Sequence, residues 1–177
     1  MSLESSAESL KAFIRDVPDF PKPGIVFKDI TTLLKDPIAF RRSLDLFTEL
    51  CRGQRADAVM AIESRGFILG GALADRLGVG FVPVRKVGKL PARTIKHAYD
   101  LEYGTDCVEV HEDALAKGQR VLVVDDVIAT GGTARAAGNL ARQLGADVAG
   151  YAFLVELGFL NGRARLGGAE VLSLIRY

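Results

Sequence analysis

Very little in this sequence invites a metal cage, a membrane or a nucleic acid. Cysteine occurs only at Cys51 and Cys107, without C-x-x-C spacing. That pattern suits free thiols in a reducing compartment and excludes a disulfide framework. The two histidines, His97 and His111, have no ligand spacing and read as structural or exposed. No apolar run reaches membrane-spanning length. Residues 1–13 lack a basic start followed by an apolar core, so no secretory leader is visible and a cytoplasmic location is expected. Charge nearly cancels, 23 basic against 22 acidic residues for a net +1, which gives no support to a nucleic-acid partner. Neither G-x-x-x-x-G-K-[ST] nor G-x-G-x-x-G occurs, so two familiar glycine-rich phosphate loops are excluded.

What is present is concentrated in Arg120–Ala134, RVLVVDDVIATGGTA. An apolar, β-prone run ending at Val124 reads as a buried strand. Asp125 and Asp126 follow it, then Ala129-Thr130-Gly131-Gly132-Thr133, then a helical pattern to about Leu144. A strand, an acidic pair, a small-residue turn and a helix form an anion cup at a helix N-terminus, where N–H groups are unpaired and the dipole is positive. Gly131 and Gly132 allow close approach to a phosphate, and Thr130 and Thr133 add hydroxyl donors. Carboxylates would repel phosphate; their natural partners are a sugar diol or a hydrated Mg²⁺. The pattern therefore fits a sugar 5-phosphate in the cup and its ribose on the acids.

The 177-residue chain as a whole, 49% hydrophobic and 25% charged, reads as one globular α/β unit. Spacing predicts a helix over 3–15, broken by prolines at 18, 21 and 23. Ile25-Val26-Phe27 is short and β-prone. Pro37 suits the first turn of a helix to about Cys51, with Phe40, Leu44, Phe47 and Leu50 on one face. Strands are expected at 58–62, 79–84, 108–110, 148–156 and 171–175, and helices at 67–77 and 161–166. Ser64 and Arg65 lie at another strand-to-helix junction, where open α/β sheets bind ligands. Arg85, Lys86 and Lys89 follow the next strand and could neutralise a diphosphate or form a solvated tip. Residues 92–107 show little periodicity and read as a long functional loop. Strand–helix alternation with ligands at strand ends argues a parallel central sheet flanked by helices, with a small N-terminal cap.

The Arg120–Ala134 stretch resembles the phosphoribosyl-pyrophosphate (PRPP) signature of type I phosphoribosyltransferases. F-P-x-P-G-I-V-F-K-D-I from Phe20, R-K-x-G-K-L-P from Arg85 and Y-x-L-E-Y-G from Tyr99 are similar to the adenine branch of that family. The resemblance implies the family's fold: a hood over residues 1–35, and a core over 36–177 with a mobile loop at about 92–107. It implies that Val26, Phe27 and Lys28 meet adenine, and that Ser64, Arg65, Lys86 and Lys89 meet diphosphate. It further implies an unusual peptide near Glu63–Ser64 and Glu102 as the general acid/base. Asp125, Asp126 and residues 129–133 would hold ribose and 5-phosphate. The reaction implied is adenine + PRPP → AMP + diphosphate. Mg²⁺ would arrive with PRPP and touch Asp125 or Asp126 through water. The resemblance also implies a homodimer, to which Arg85 could contribute across the interface. Enzymes acting on hypoxanthine or guanine carry an Asp where this chain has Ala129, which favours adenine. The alternatives are a 6-oxopurine transferase on the same scaffold and a PRPP-sensing regulator without catalysis.

Overall fold

A computed structural model describes residues 3–100 and 105–177. The N-terminal helix is short: α1 (Leu3–Glu8) passes into a 3-10 turn, Ser9–Phe13, whose Leu10 is fully buried. The proline-rich stretch that follows is half of a hairpin. β1 (Arg15–Pro18) pairs antiparallel with β2 (Val26–Asp29), forming a separate two-stranded sheet. Asp29 locks its base, accepting from Arg15 Nε at 3.1 Å, Thr31 N at 2.9 Å and Thr31 Oγ1 at 2.9 Å.

Helices α2 (Thr31–Lys35) and α3 (Pro37–Cys51) follow. Asp36 caps α3, accepting from Ile38 N and Ala39 N, with Pro37 in the first turn. Leu44 and Phe47 are buried as the spacing predicts, while Phe40 and Leu50 are only half-buried. The buried stripe is instead extended by Ser43, Thr48 and Cys51.

Among the described residues, seven strands form one sheet, β5-β6-β4-β3-β7-β8-β9. Their ranges are β3 (Ala58–Ile62), β4 (Gly80–Lys86), β5 (Thr94–Asp100), β6 (Thr105–His111), β7 (Arg120–Ile128), β8 (Asp147–Glu156) and β9 (Val171–Arg176). The five strands β4, β3, β7, β8 and β9 run parallel. β6 runs antiparallel to both β4 and β5, so the sheet is mixed at one edge. Helix α4 (Arg65–Leu77) covers one face with α3; α5 (Gly132–Gln143) covers the other. β3 shows the two-sided burial this requires. Val59 and Ala61 pack with Phe47 and Leu69, while Met60 and Ile62 pack with Leu140 and Phe153.

Three readings of the sequence change here. The stretch 92–107 is mostly strand: β5 and β6 form a hairpin with Ile95 opposite Val110 and Tyr99 opposite Asp106. Its scattered apolar residues were too few to show alternation, yet packing against α5 supports the edge. β7 continues through Asp125 and Asp126 to Ile128, because β8 keeps pairing with it as far as Glu156. The helix expected over 161–166 is a 3-10 turn, Gly162–Leu166, following Asn161 in a left-handed conformation.

Candidate active site

Two helices begin where two neighbouring parallel strands end. β3 and β7 are hydrogen-bonded partners, Ala58 opposite Val121. α4 starts at Arg65 just beyond β3, and α5 at Gly132 just beyond β7. Among the described residues no side chain caps either start, which leaves their leading amides to face an anion. Both helix starts border one cleft of about 990 Å³.

At the β7 end, Ala129, Thr130 and Thr133 line the cleft. Gly131 turns the chain with φ +81°, a region costly to residues bearing a Cβ. Gly131 and Gly132 are not part of the lining; Gly131 makes the turn beneath it and Gly132 is the first helical residue. Gly131 is backed by the Gly162–Leu166 turn, where the Gly162 backbone packs directly against it. Arg163 donates to both Glu156 carboxylate oxygens at 2.7 Å and to Val171 O at 2.8 Å, pinning that turn to the sheet.

Between the two helix starts lie Asp125 and Asp126, both in the lining. Burial and then the adjacent Asp126 carboxylate push the Asp125 carboxyl well above the usual carboxylate range. Arg65 pairs with Asp126 through Nε and lies 5.6 Å from the centre of the Phe27 ring. One guanidinium thus links the hood to the acidic pair. Burial opposes its charge, and the carboxylates of Asp126, Asp125 and Asp29 outweigh that cost and raise it. The Glu63–Ser64 peptide is cis.

Arg85 and Lys86, expected beyond the strand, are the last two residues of β4. They and Lys89 are arranged by two acids, the half-buried Glu63 and the buried Glu109. Glu63 accepts from Arg85 Nε at 2.7 Å and Lys86 N at 3.1 Å, and lies 3.5 Å from Lys89 Nζ. Glu109 accepts from the amides of Gly88, Lys89 and Leu90 at 2.9, 3.1 and 3.2 Å, and from Thr94 Oγ1 at 3.1 Å. Burial raises both carboxyls, and these donors hold them below the usual range. Lys86 lines the cleft; Lys89 lies outside the lining, drawn toward Glu63.

The hood supplies Val26, Phe27 and Lys28 to the opposite wall. Phe27 meets Phe20 edge-on, centres 5.3 Å apart. Lys28 pairs with Asp16 at 2.7 Å and lies 4.1 Å over the Tyr177 ring. Leu157, Phe159, Leu160 and Tyr177 complete the wall. The sequence offered no motif for these four. The fold delivers them by tying Leu157 N to Ile128 O at 3.0 Å and Gly158 N to Tyr177 O at 2.9 Å. Glu102 lies outside the described residues. Among the described residues no group of three or more His, Cys, Asp or Glu could hold a metal, and no helix is long and apolar enough to cross a membrane.

A phosphoribosyl transferase domain matches residues 29–165. The adenine phosphoribosyltransferase of Koribacter versatilis is 55% identical, over 96% of this chain and 93% of its own. That of a Synechococcus species is 58% identical over 95% and 98%. The crystal structure of adenine phosphoribosyltransferase from Thermoanaerobacter pseudethanolicus superposes with a TM-score of 0.94, at 53% identity, covering 97% of this chain and 99% of that one. The chain belongs to the adenine phosphoribosyltransferase family. The general domain match begins at Asp29, so all of the hood hairpin before that last residue of β2 lies outside it. The adenine phosphoribosyltransferases, in contrast, align over nearly the whole chain, hood included. The Saccharomyces cerevisiae adenine phosphoribosyltransferase, solved with adenine and an imino-altritol bisphosphate, is 44% identical with a TM-score of 0.91 over 96% of this chain and 98% of its own.

Proposed function

We propose that the cleft carries out the family reaction, adenine + PRPP → AMP + diphosphate, with the following division of labour. The observation that carries it is the pairing of two helix starts on adjacent strands, with an acidic pair between them. One start, with Ala129 to Thr133, holds the 5-phosphate; Asp125 and Asp126 grip the ribose diol. The other, with Ser64 and Arg65, holds the diphosphate, joined by Lys86 and, after leaving Glu63, Lys89. Phe27 and Leu157 enclose the purine with Val26, and the backbone around Lys28 reads its edge. A backbone donor and acceptor there would discriminate adenine from hypoxanthine, whose reversed pattern leaves buried groups unpaired.

The C1′–oxygen bond to diphosphate breaks and a C1′–N9 bond forms. Diphosphate leaves with the bonding electron pair, and positive charge develops on the ribose ring. The cationic groups stabilise the growing negative charge on the departing oxygens. The phosphate cup fixes C1′ against the purine. Glu102 takes the proton that adenine releases, a role carried by the resemblance of Y-x-L-E-Y-G. The donor set suits a Mg²⁺ that arrives on PRPP: two crowded carboxylates can meet its water shell, and the ion prefers one or two carboxylates plus substrate oxygens. When bound, Mg²⁺ neutralises diphosphate charge. The two free cysteines suit the cytoplasm. Exposed Ile68, Phe81 and Val87 offer apolar area for a homodimer contact.

The test is incubation with PRPP and Mg²⁺ plus adenine, hypoxanthine or xanthine separately. Adenine is consumed with equal formation of AMP and diphosphate; adenine proving the poorest acceptor overturns the assignment.

A further inference from the structure

Lys86 borders the cleft with its ammonium already engaged. It pairs with the Asp106 carboxylate, and the same Asp106 oxygen accepts the Tyr99 hydroxyl at 3.1 Å. Lys86 Nζ lies 3.4 Å from that hydroxyl and 5.9 Å from the centre of the Tyr99 ring. Tyr99 and Asp106 face each other across the β5–β6 hairpin. Asp106 itself does not line the cleft, whereas Lys86 and Tyr99 do.

The other cations are also held by acids, but differently. Asp126 and Glu63 are 7% and 9% exposed and sit at the ends of central strands. The Asp106 side chain is 26% exposed and its partner Lys86 43%. A pair this open to water is weak and exchanges readily. A diphosphate presents several anionic oxygens to an ammonium with three donors, and outcompetes one carboxylate.

We propose that Asp106 is a positioning residue that restrains Lys86. It neutralises the ammonium in the ligand-free enzyme and yields it to the diphosphate moiety. This rests on reading Lys86 as a diphosphate contact. After the exchange the Asp106 charge remains close to the anion and repels it, while Tyr99 keeps its acceptor. The net effect is weaker diphosphate binding, which lets the product leave. A purely structural Asp106, needed only to aim Lys86, has the opposite consequence: its removal weakens binding.

The experiment measures diphosphate affinity in the presence of Mg²⁺ by calorimetry for the parent, Asp106→Asn and Lys86→Met. Asp106→Asn keeps an acceptor for Tyr99 and removes only the charge. It is expected to tighten diphosphate binding about five-fold and to steepen its salt dependence. Lys86→Met is expected to weaken binding about ten-fold. Asp106→Ala, which cannot serve Tyr99, must change affinity in the same direction as Asp106→Asn. Unchanged or weaker binding in Asp106→Asn, with Lys86→Met weakened, overturns the role of Asp106 alone. Unchanged binding in Lys86→Met removes the diphosphate contact and this proposal with it.

Discussion

The carbonyl oxygen of Gly162 lies 2.5 Å from the position a Cβ on Gly131 would occupy. Two glycines from distant parts of the chain interlock under the phosphate cup. A Cβ on Gly162 would in turn collide with the carbonyl of Ala129. The backbone that is to grip phosphate is therefore shaped by a residue outside the motif that names it.

Gly162→Ala should push the 129–131 backbone out of place. Overpacking of this kind costs about 1–3 kcal/mol of stability. AMP affinity should fall at least roughly ten-fold, since several amide contacts to one phosphate are misdirected together. Titration calorimetry with AMP checks this; parental affinity would show that the cup tolerates the displacement.

Asp125→Asn should separate stability from binding. The native carboxyl is held above its ordinary value of 3.8 by burial and Asp126. A raised pKa means that the native state favours the protonated form. The associated stability is complete below the unfolded value and is lost as pH rises toward the native one. A neutral amide does not suffer that loss. The variant should match the parent near pH 4 and exceed it by about 1 kcal/mol at neutral pH. Its affinity for AMP should drop about ten-fold. Thermal melts across pH 4–8, paired with AMP titrations, give both readings; a variant less stable than the parent at pH 7 contradicts the assignment of Asp125 as a strained acid.

Asp29→Asn should loosen the hood. The Arg15 guanidinium, then the Thr31 amide, hold the Asp29 carboxyl down at about 2, against an ordinary 3.8. A lowered pKa contributes stability above the unfolded value, and that contribution vanishes as pH falls through the native one. Arg15 is well exposed, so the loss at neutral pH is small, about 1 kcal/mol. The larger effect is expected on the adenine KM, because β2 carries Phe27 into the cleft. The stability gap between variant and parent should close as pH is lowered from 4 toward 2. Steady-state assays and melts measure the two effects.

Glu102→Ala should lower kcat by about 10²-fold or more while changing PRPP affinity little, the pattern for a group acting in the transition state. Rapid-quench turnover with PRPP titration checks it; a parental rate removes Glu102 from the reaction.

The chemistry of this protein was most legible where function is carried by consecutive residues. Val121 to Thr133 displays its strand, acids and cup in order, whereas periodicity around Val26-Phe27-Lys28 shows only a connector and the hood is legible there through the family resemblance alone. What was hidden depends on residues brought together by pairing. Leu157 and Tyr177 reach the cleft only because β8 runs beside β7 and β9 beside β8. Glu109 reads as an ordinary strand residue until its carboxylate is seen collecting three amides of the turn ahead of it. The same holds for Asp106, whose partners lie on two other strands. β5 escaped notice because an edge hairpin needs little apolar alternation once a helix covers it.

The parallel pairing of β3 with β7 also governs how the molecule is assembled. Ala58 and its partner Val121 are separated in the chain by a helix, one strand and the β5–β6 hairpin. Such distant partners carry a large loop-closure cost and retard folding. Until that junction closes, the apolar strand Ala58–Ile62 is uncovered and prone to stick to other chains. AMP added during refolding should leave the refolding rate unchanged, because the pocket it recognises does not exist until β3 and β7 meet, yet it should slow unfolding of the finished protein.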